Sequence, residues 1–496
     1  VSASAVVAIN VKNAGRETPQ RDVGVADDVQ VLAIFSDPTT YERAKLLKVP
    51  NPIRGGRPRL YPDFLVVAYD QMADLYDGVR NAATQLSGIT LWPLIRETVA
   101  ARFPDEPEMH LPENPPCSTW FYRRSKALAA SNARQQRHLM ESGSQLASDL
   151  GLLDEKGPGS RNHPDRDRMI YGDGKTMATM LPNGKPGKMR TALYGDRETG
   201  ELIEVETQVR FDPDAKVHTD GTKEQVHGIK FWSNMIRGRQ PHMRVMLTED
   251  HVPEEKGENN SEGAVMLASL LALDPYVPAA LGYITDGVMH GLHLDQLQRA
   301  TGKVIISPVA AKKTDKDGRR LEEKEGFLDV EIFDYENGDK EVVELWYRRG
   351  GVCARQWSAD GSSVLVPLRR TASPRRKNAD GTFRTYVEYE VPCPRGVLPS
   401  QTTRHRTYTN DEDRAAKFNR SENVRQIAWD DPDYSVYGRR SDAESSNRDV
   451  DDHSYLGRAR SIGIERQLMN RLSRDYRVNA LSRYLYLHAK AATAAA

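Results

Sequence analysis

The chain has 496 residues, 38% of them hydrophobic and 28% charged, and its 70 Lys and Arg balance 70 Asp and Glu. That length holds two to four domains at about 100–200 residues each, and the zero net charge means that any surface for nucleic acid must come from local clusters. With no run of about 18 apolar residues to offer a membrane span, and no basic leader ahead of the apolar start Val1 to Ile9, a cytoplasmic protein without a membrane partner is expected.

Residues 1–55 show no sustained periodicity and read as a partly disordered leader with one short helix near Tyr41 to Leu47. The basic arm Arg54-Gly55-Gly56-Arg57-Pro58-Arg59 follows, then Phe64, Leu65, Val67, Tyr69, Met72 and Leu75 at helical spacing. Val79 to Leu86, a turn at Ser87 to Thr90, and Trp92 to Ala101 have the order of a helix-turn-helix unit. An ordinary three-helix bundle fits equally, because Glu97 falls where such a unit wants an apolar residue. The arm favours DNA, since Arg54, Arg57 and Arg59 on a flexible leader can neutralise phosphates or enter a minor groove. Ser118 to Leu153 reads as one long helical stretch carrying Arg123, Arg124, Lys126, Arg134 and Arg137, either a solvated face or a track for a DNA backbone. Residues 56–155 are thus expected to form a helical DNA-binding region.

From Arg168 the pattern changes to strands: Met169-Ile170-Tyr171, a hairpin of Thr191 to Tyr194 and Leu202 to Val209 closed by Asp196 to Gly200, and Val245-Met246-Leu247. Ser261 caps a helix through Leu271, Ala280 to Thr285 is a strand, Leu292 to Thr301 a helix, and Val304-Ile305-Ile306 a further strand. Over 160–310 this predicts a mixed sheet with flanking helices. Residues 311–410 carry alternating runs (Phe327 to Phe333, Val342 to Tyr347, Val364 to Leu368, Tyr386 to Val391) with turns at Asn337-Gly338 and Asp380-Gly381, a β-rich insertion. Its basic run Arg369, Arg370, Arg375, Arg376 and Lys377 is either a solvated loop or a grip on DNA. Residues 411–496 return to helix. Cys117, Cys353 and Cys393 are too scattered for a disulfide framework or zinc ribbon and read as reduced thiols. His290 and His293 read as a solvated helix face ahead of a zinc site.

Three acids lie in settings suited to catalysis. Asp173 ends an apolar run, with small residues around it expected to leave its carboxylate accessible, Asp286 ends the run Ala280 to Thr285, and Glu444 lies in the helix-forming segment Arg439 to Asn447. Transfer at a phosphodiester needs a nucleophilic oxygen and charge stabilisation on the phosphate and leaving oxygen. Two Mg²⁺ ions about 3.5–4 Å apart, with Mn²⁺ as a substitute, supply these from carboxylate ligands. Tyr437-x-x-Arg440-x-x-x-Glu444 sets Arg440 one helical turn from Glu444, able to touch DNA phosphate or orient the carboxylate, while Tyr437 can stack or donate a hydrogen bond.

On Tyr171-Gly172-Asp173-Gly174-Lys175, Ile284-Thr285-Asp286-Gly287 and the Tyr437, Arg440, Glu444 set, the chain resembles the Asp-Asp-Glu transposases of bacterial insertion sequences, over roughly residues 165–490 and more weakly over 54–102. The resemblance implies an α/β, ribonuclease-H-like catalytic domain interrupted by a β-rich domain before the Glu helix, an insertion of the kind found at that place here. It also implies Asp173, Asp286 and Glu444 as metal-holding catalytic residues, with activated water cutting each element end and the freed 3′-hydroxyl attacking target DNA. The partners implied are terminal inverted repeats and target DNA, met as a homodimer. The branch it most resembles has a Lys seven residues after the Glu, where this chain has Asp451; Arg448, one turn beyond Glu444, is the nearest cation to replace it, unless it pairs with Glu444 or Asp451. The alternatives are a silent DNA-binding descendant of such an enzyme, and a tyrosine-type recombinase built on Arg404-His405-Arg406 with Tyr484 or Tyr486 as nucleophile.

Overall fold

The strand carrying Asp173 extends well past its apolar start. In the computed structural model, which describes residues 25–47, 60–181, 189–195, 202–219, 225–253, 261–289, 291–315, 319–395, 402–410, 420–454 and 457–495, β1 spans Met169–Ala178. Asp173 is therefore mid-strand and not at a strand end. The glycines beside it do not serve to expose its carboxylate. A Cβ at Gly172 would come within 2.5 Å of Asn234 Oδ1, and one at Gly174 would run into the Glu262 carboxylate. Side chains alternate across a strand, so these close approaches occur on the face opposite Asp173.

The hairpin of β2 (Met189–Gly195) and β3 (Leu202–Gln208) forms a two-stranded sheet of its own, and its expected turn at 196–200 lies outside the described residues. The central sheet contains β1, β4 (Lys216–Thr219), β5 (Gln225–Arg237), β6 (Arg244–His251), β7 (Gly282–Ile284) and β8 (Val304–Ile306). Its order is β5-β1-β7-β8, with β4 and β6 sharing the far edge of β5. β5 is antiparallel to β1 and to β6, while β1, β7 and β8 run parallel. The sequence did not announce β5, because both its faces are covered and its run Phe231 to Ile236 is buried without alternation. Two polar members of that run are satisfied internally: Ser233 donates to Glu249 at 2.6 Å, and Asn234 to Thr248 and Ser269 at 2.8 Å.

Helices cover both faces. On the side of Ile170, Trp232 and Tyr283 lie α8 (Glu262–Leu273), capped by Ser261 as expected, and α9 (Gly291–Thr301). On the side of Tyr171 and Met177 lie α11 (Ser441–Asp452) and α12 (Ile464–Ala495), which contribute Ala443, Val450, Leu468, Leu472 and Tyr476.

Ahead of the sheet come α1 (Asp27–Ser36), α2 (Pro38–Lys45), α3 (Phe64–Leu75), α4 (Val79–Leu86), α5 (Leu91–Arg102), α6 (Ser118–Ala129) and α7 (Asn132–Asp149). Where described, the expected leader is helical and buried: Val31, Ile34 and Phe35 join the core formed by α3 to α6. The long stretch from Ser118 is two helices, broken at Ala130-Ser131, where the Ser131 hydroxyl donates to the Leu128 carbonyl at 2.6 Å. α12 packs against α1, α3 and α7 as well as β6, and its Met469 enters the bundle core.

Between β8 and α11 stand β9 (Lys313–Thr314) with β10 (Arg320–Glu322), and the meander β11 (Glu325–Asp334), β12 (Lys340–Arg348), β13 (Gly351–Trp357) and β14 (Ser363–Pro367). β15 (Arg369–Ala372), β16 (Arg375–Lys377), β17 (Phe383–Pro392) and β18 (Thr402–Tyr408) complete the insertion, followed by the single turn α10 (Arg420–Asn423). Gly338 and Gly381 take φ of 85° and 86°, as their Asn-Gly and Asp-Gly turns require. Val343, Leu345 and Val352 pack against Val387, Tyr389 and Val391 to close a β core.

Candidate active site

Asp173 on β1, Asp286 just past β7 and Glu444 on α11 converge on one guanidinium. Arg440 Nη2 donates to Asp173 Oδ1 at 3.2 Å and to Asp286 Oδ2 at 2.9 Å, and its Nη1 donates to Glu444 Oε1 at 3.2 Å. Because β1 and β7 are parallel neighbours, their acids emerge side by side. The Glu444 carboxylate closes the third side from the helix above, through the expected one-turn spacing to Arg440.

Exposure is graded across the three, at 14% for the Asp173 side chain, 30% for Asp286 and 65% for Glu444, so the cluster opens toward solvent on the helix side. Burial pushes the Asp173 carboxyl up to about 6; Arg440 pulls it down, and the neighbouring Asp286 pushes it up. Burial opposes the charge on Arg440, but Asp286 and Asp173 outweigh it and raise its pKa. Three carboxylates around one guanidinium leave a deficit of positive charge, and an oxygen-only donor set of this kind suits Mg²⁺ or Mn²⁺.

Tyr437 belongs to a 3₁₀ segment, Pro432–Arg440, that leads into α11 and is capped by Asp431 accepting from Asp433 N at 2.9 Å. Its ring stacks on Tyr434 with centroids 5.2 Å apart, and Tyr434 lies the same distance from Trp429. Burial and then Arg440, Asp286 and Asp173 act on its phenol, with the net effect of pushing it up to about 12. It is a neutral hydrogen-bond donor beside the acids.

Several site residues were not singled out from the sequence. Asn447, one turn past Glu444, donates to Asp173 Oδ2 at 3.0 Å and fixes that carboxylate. α11 is held at both ends. Arg237 and Arg439 grip Asp442 at 2.9 and 2.8 Å, and Arg439 also meets Asp167. Arg474 donates to the Ser446 carbonyl at 3.0 Å and to Asp449 at 2.8 Å. An i,i+3 reading of Asn447 against Glu444 was the one clue available. Of the arginine anchors, Arg237 comes from β5, 205 residues before Asp442, Arg439 from the segment just ahead of α11, and Arg474 from α12, 25 residues after Asp449.

Arg448 is exposed and has no ion pair among the described residues; Glu444 is engaged with Arg440, and Asp451 with Lys175 at 2.6 Å. Arg54, Arg57 and Arg59, and His290, lie outside the described residues. In the insertion, Arg370 is no grip for DNA: it is 5% exposed and tied to Asp431 at 2.6 Å and Asp433 at 2.5 Å. Arg375 donates to the Gly302 carbonyl at 3.1 Å yet is exposed, as are Arg369, Arg376 and Lys377. Along the broken helical stretch Arg124 pairs with Asp63, while Arg123, Lys126 and Arg137 are exposed. Among the residues of a recombinase reading, His405 bonds Glu331 at 2.9 Å and Arg406 lies 4.1 Å over the Tyr386 ring, both within the insertion. Tyr484 packs beside His488, and Tyr486 against the core under α8 and α9.

No described helix is long and apolar enough to cross a membrane. No protein-family model matches the chain, and comparison with curated proteins gives no match.

Proposed function

We propose that this chain is a DNA transposase of the Asp-Asp-Glu class, cutting the ends of a mobile element and joining them to target DNA. The observation that carries the reading is the convergence of Asp173, Asp286 and Glu444 on Arg440, from three elements far apart in sequence. Three further features support it. The sheet order, with one antiparallel strand between β1 and the edge and two parallel strands on its other side, suits a ribonuclease-H-like domain. A β-rich insertion stands between β8 and the Glu helix, and a helical bundle precedes the sheet.

Asp173, Asp286 and Glu444 are the residues that would hold a pair of Mg²⁺ or Mn²⁺ ions, which prefer oxygen donors and would supply charge stabilisation at the attacked phosphate and the leaving oxygen. The chain's own groups do the rest. Asn447 keeps the Asp173 carboxylate turned toward its neighbours. Arg440 offers a planar guanidinium that suits a phosphate in two-point contact. Tyr437 presents a neutral hydroxyl. The arginines at both ends of α11 hold Glu444 on a rigid element, as transfer between two large substrates demands.

The substrates on this reading are duplex element ends and target DNA, bound by two copies of the chain. The test is incubation with duplexes carrying the inverted repeats that flank the coding sequence, with and without Mg²⁺, resolved on a denaturing gel. Divalent-dependent nicks at the repeat boundary with a free 3′-hydroxyl support the proposal. A DNA-bound but uncut substrate indicates a silent binding protein, and a protein-linked strand formed without metal indicates covalent tyrosine chemistry.

A further inference from the structure

β1 and α11 lie side by side in matched register across the site. Asn447 meets Asp173 at 3.0 Å, and four residues on, Asp451 meets Lys175 at 2.6 Å. The match is geometric: four helical residues advance about 6 Å at about 1.5 Å each, close to the roughly 6.6 Å of two strand residues at about 3.3 Å each. Lys175 therefore projects from the same face as Asp173, one rung further along, with its side chain 23% exposed. Asp451 is its ion-pair partner among the described residues, and one carboxylate occupies one of the three ammonium donors.

The pair is not needed for stability, because half-exposed ion pairs contribute little. Its position gives it other work. The cluster of acids is short of positive charge, with Arg440 the cation that pairs with all three, and a polyanion brought to it gains from a further cation beside the acids. We propose that Lys175 binds a backbone phosphate next to the one that reacts, and that Asp451 is the positioning residue that holds the ammonium at that rung. This rests on the transposase reading and adds to it a substrate contact on the strand. Asp451 thus takes a defined part: the helix supplies the anion and the strand supplies the cation that touches DNA. Arg448, exposed on the outer side of the same helix, has no such clamp.

The test uses the full chain and a pre-cleaved duplex end, with binding followed by fluorescence anisotropy over a range of salt. A second set of duplexes carries a neutral methylphosphonate at single positions flanking the 3′ end. Wild type is expected to lose about tenfold in affinity at one methylphosphonate position, the order for a charge-assisted contact. Lys175→Met should lower the slope of log affinity against log salt by about 0.9 and be insensitive to the methylphosphonate at that position. Asp451→Asn, which keeps the cation and loses the clamp, should keep the slope and spread the penalty over neighbouring positions. The double swap Lys175→Asp with Asp451→Lys should restore the single-position penalty, and it carries the test should Lys175→Met fail to fold. Lys175→Met with the wild-type slope and the wild-type methylphosphonate profile overturns the proposal, whatever its melting temperature. A wild-type chain that never cuts its ends with Mg²⁺ overturns the reading of the acids instead, so the two failures are told apart.

Discussion

Two clusters of carboxylates and arginines lie at opposite ends of α11, and they are built on opposite rules. Around Arg440 three acids share one guanidinium, and the cluster opens to solvent at Glu444. Around Arg471, Arg474 and Arg477, acids and cations alternate: Arg471 bonds Glu249 at 2.8 Å, Arg474 bonds Asp449 at 2.8 Å and Asp475 at 3.1 Å, and Arg477 bonds Asp74 at 2.8 Å. Arg460 joins Asp70 to the same group at 2.9 Å. Burial and the nearby Glu249 push the Asp475 carboxyl well above its usual range, which removes the surplus negative charge. The buried cluster ties α12 to α3, α11 and β6 and approaches neutrality, since an unpaired charge in the interior is costly. The open cluster keeps a deficit of positive charge that an added cation can cancel. Charge imbalance, more than the presence of acids, separates the two.

The largest effect that sharpens this contrast is on chemistry. Asp173→Ala, Asp286→Ala and Glu444→Ala should each lower divalent-dependent cleavage by about a thousandfold or more, while end binding and melting temperature stay near wild type. A variant that still cuts at a tenth of the wild-type rate would remove its residue from the centre. The next effect is on stability. Arg474→Met removes the guanidinium bonded to Asp449, Asp475 and the Ser446 carbonyl and should cost about 3–5 kcal/mol in urea denaturation, as loss of one partner from a buried pair does. A cost within about 1 kcal/mol would show that the balanced cluster does not hold the fold together.

A smaller effect distinguishes the two guanidinium groups. Arg440→Met removes the tethered cation from the acids, so isothermal titration of the full chain should show tighter Mg²⁺ binding. Equal Mg²⁺ affinity in the two proteins would mean that Arg440 does not compete for the carboxylates. The smallest effect concerns pH. Burial lowers the pKa of His453, but its hydrogen bond to Asp449 and the charges of Asp449 and Asp74 together outweigh that and raise it above 6.5. This group's stabilisation is therefore complete below pH 6.5 and fades as pH rises through the raised value. His453→Gln should flatten that dependence by under about 1 kcal/mol, and an unchanged pH profile of melting would dismiss the pair.

How far the sequence could be read differs from element to element. Asn337-Gly338 and Asp380-Gly381 marked their hairpins because a turn that requires positive φ is a local demand. The helix of Val79 to Leu86 stands as expected, and the one after it, Leu91–Arg102, runs one residue further at each end than expected. β5 stayed hidden because burial on both faces erases alternation, and β13, Gly351–Trp357, because its polar half mixes with its apolar half. Ser131 broke a helix that periodicity had run through, by bonding backward to the Leu128 carbonyl.

Residue types and local spacing were enough to single out Asp173, Asp286 and Glu444, and to set Arg440 one turn from Glu444. That the three acids meet at that arginine was decided by pairings no local pattern contains, such as Arg440 with Asp173 across 267 residues. The same holds for the purpose of Gly172 and Gly174, which make room for Asn234 and Glu262 from behind the strand, and for Lys175, whose partner is two helical turns beyond Glu444. Period and turn chemistry act within a few residues and are written in the chain; registry between a strand and a helix is set only when both are packed on a shared core.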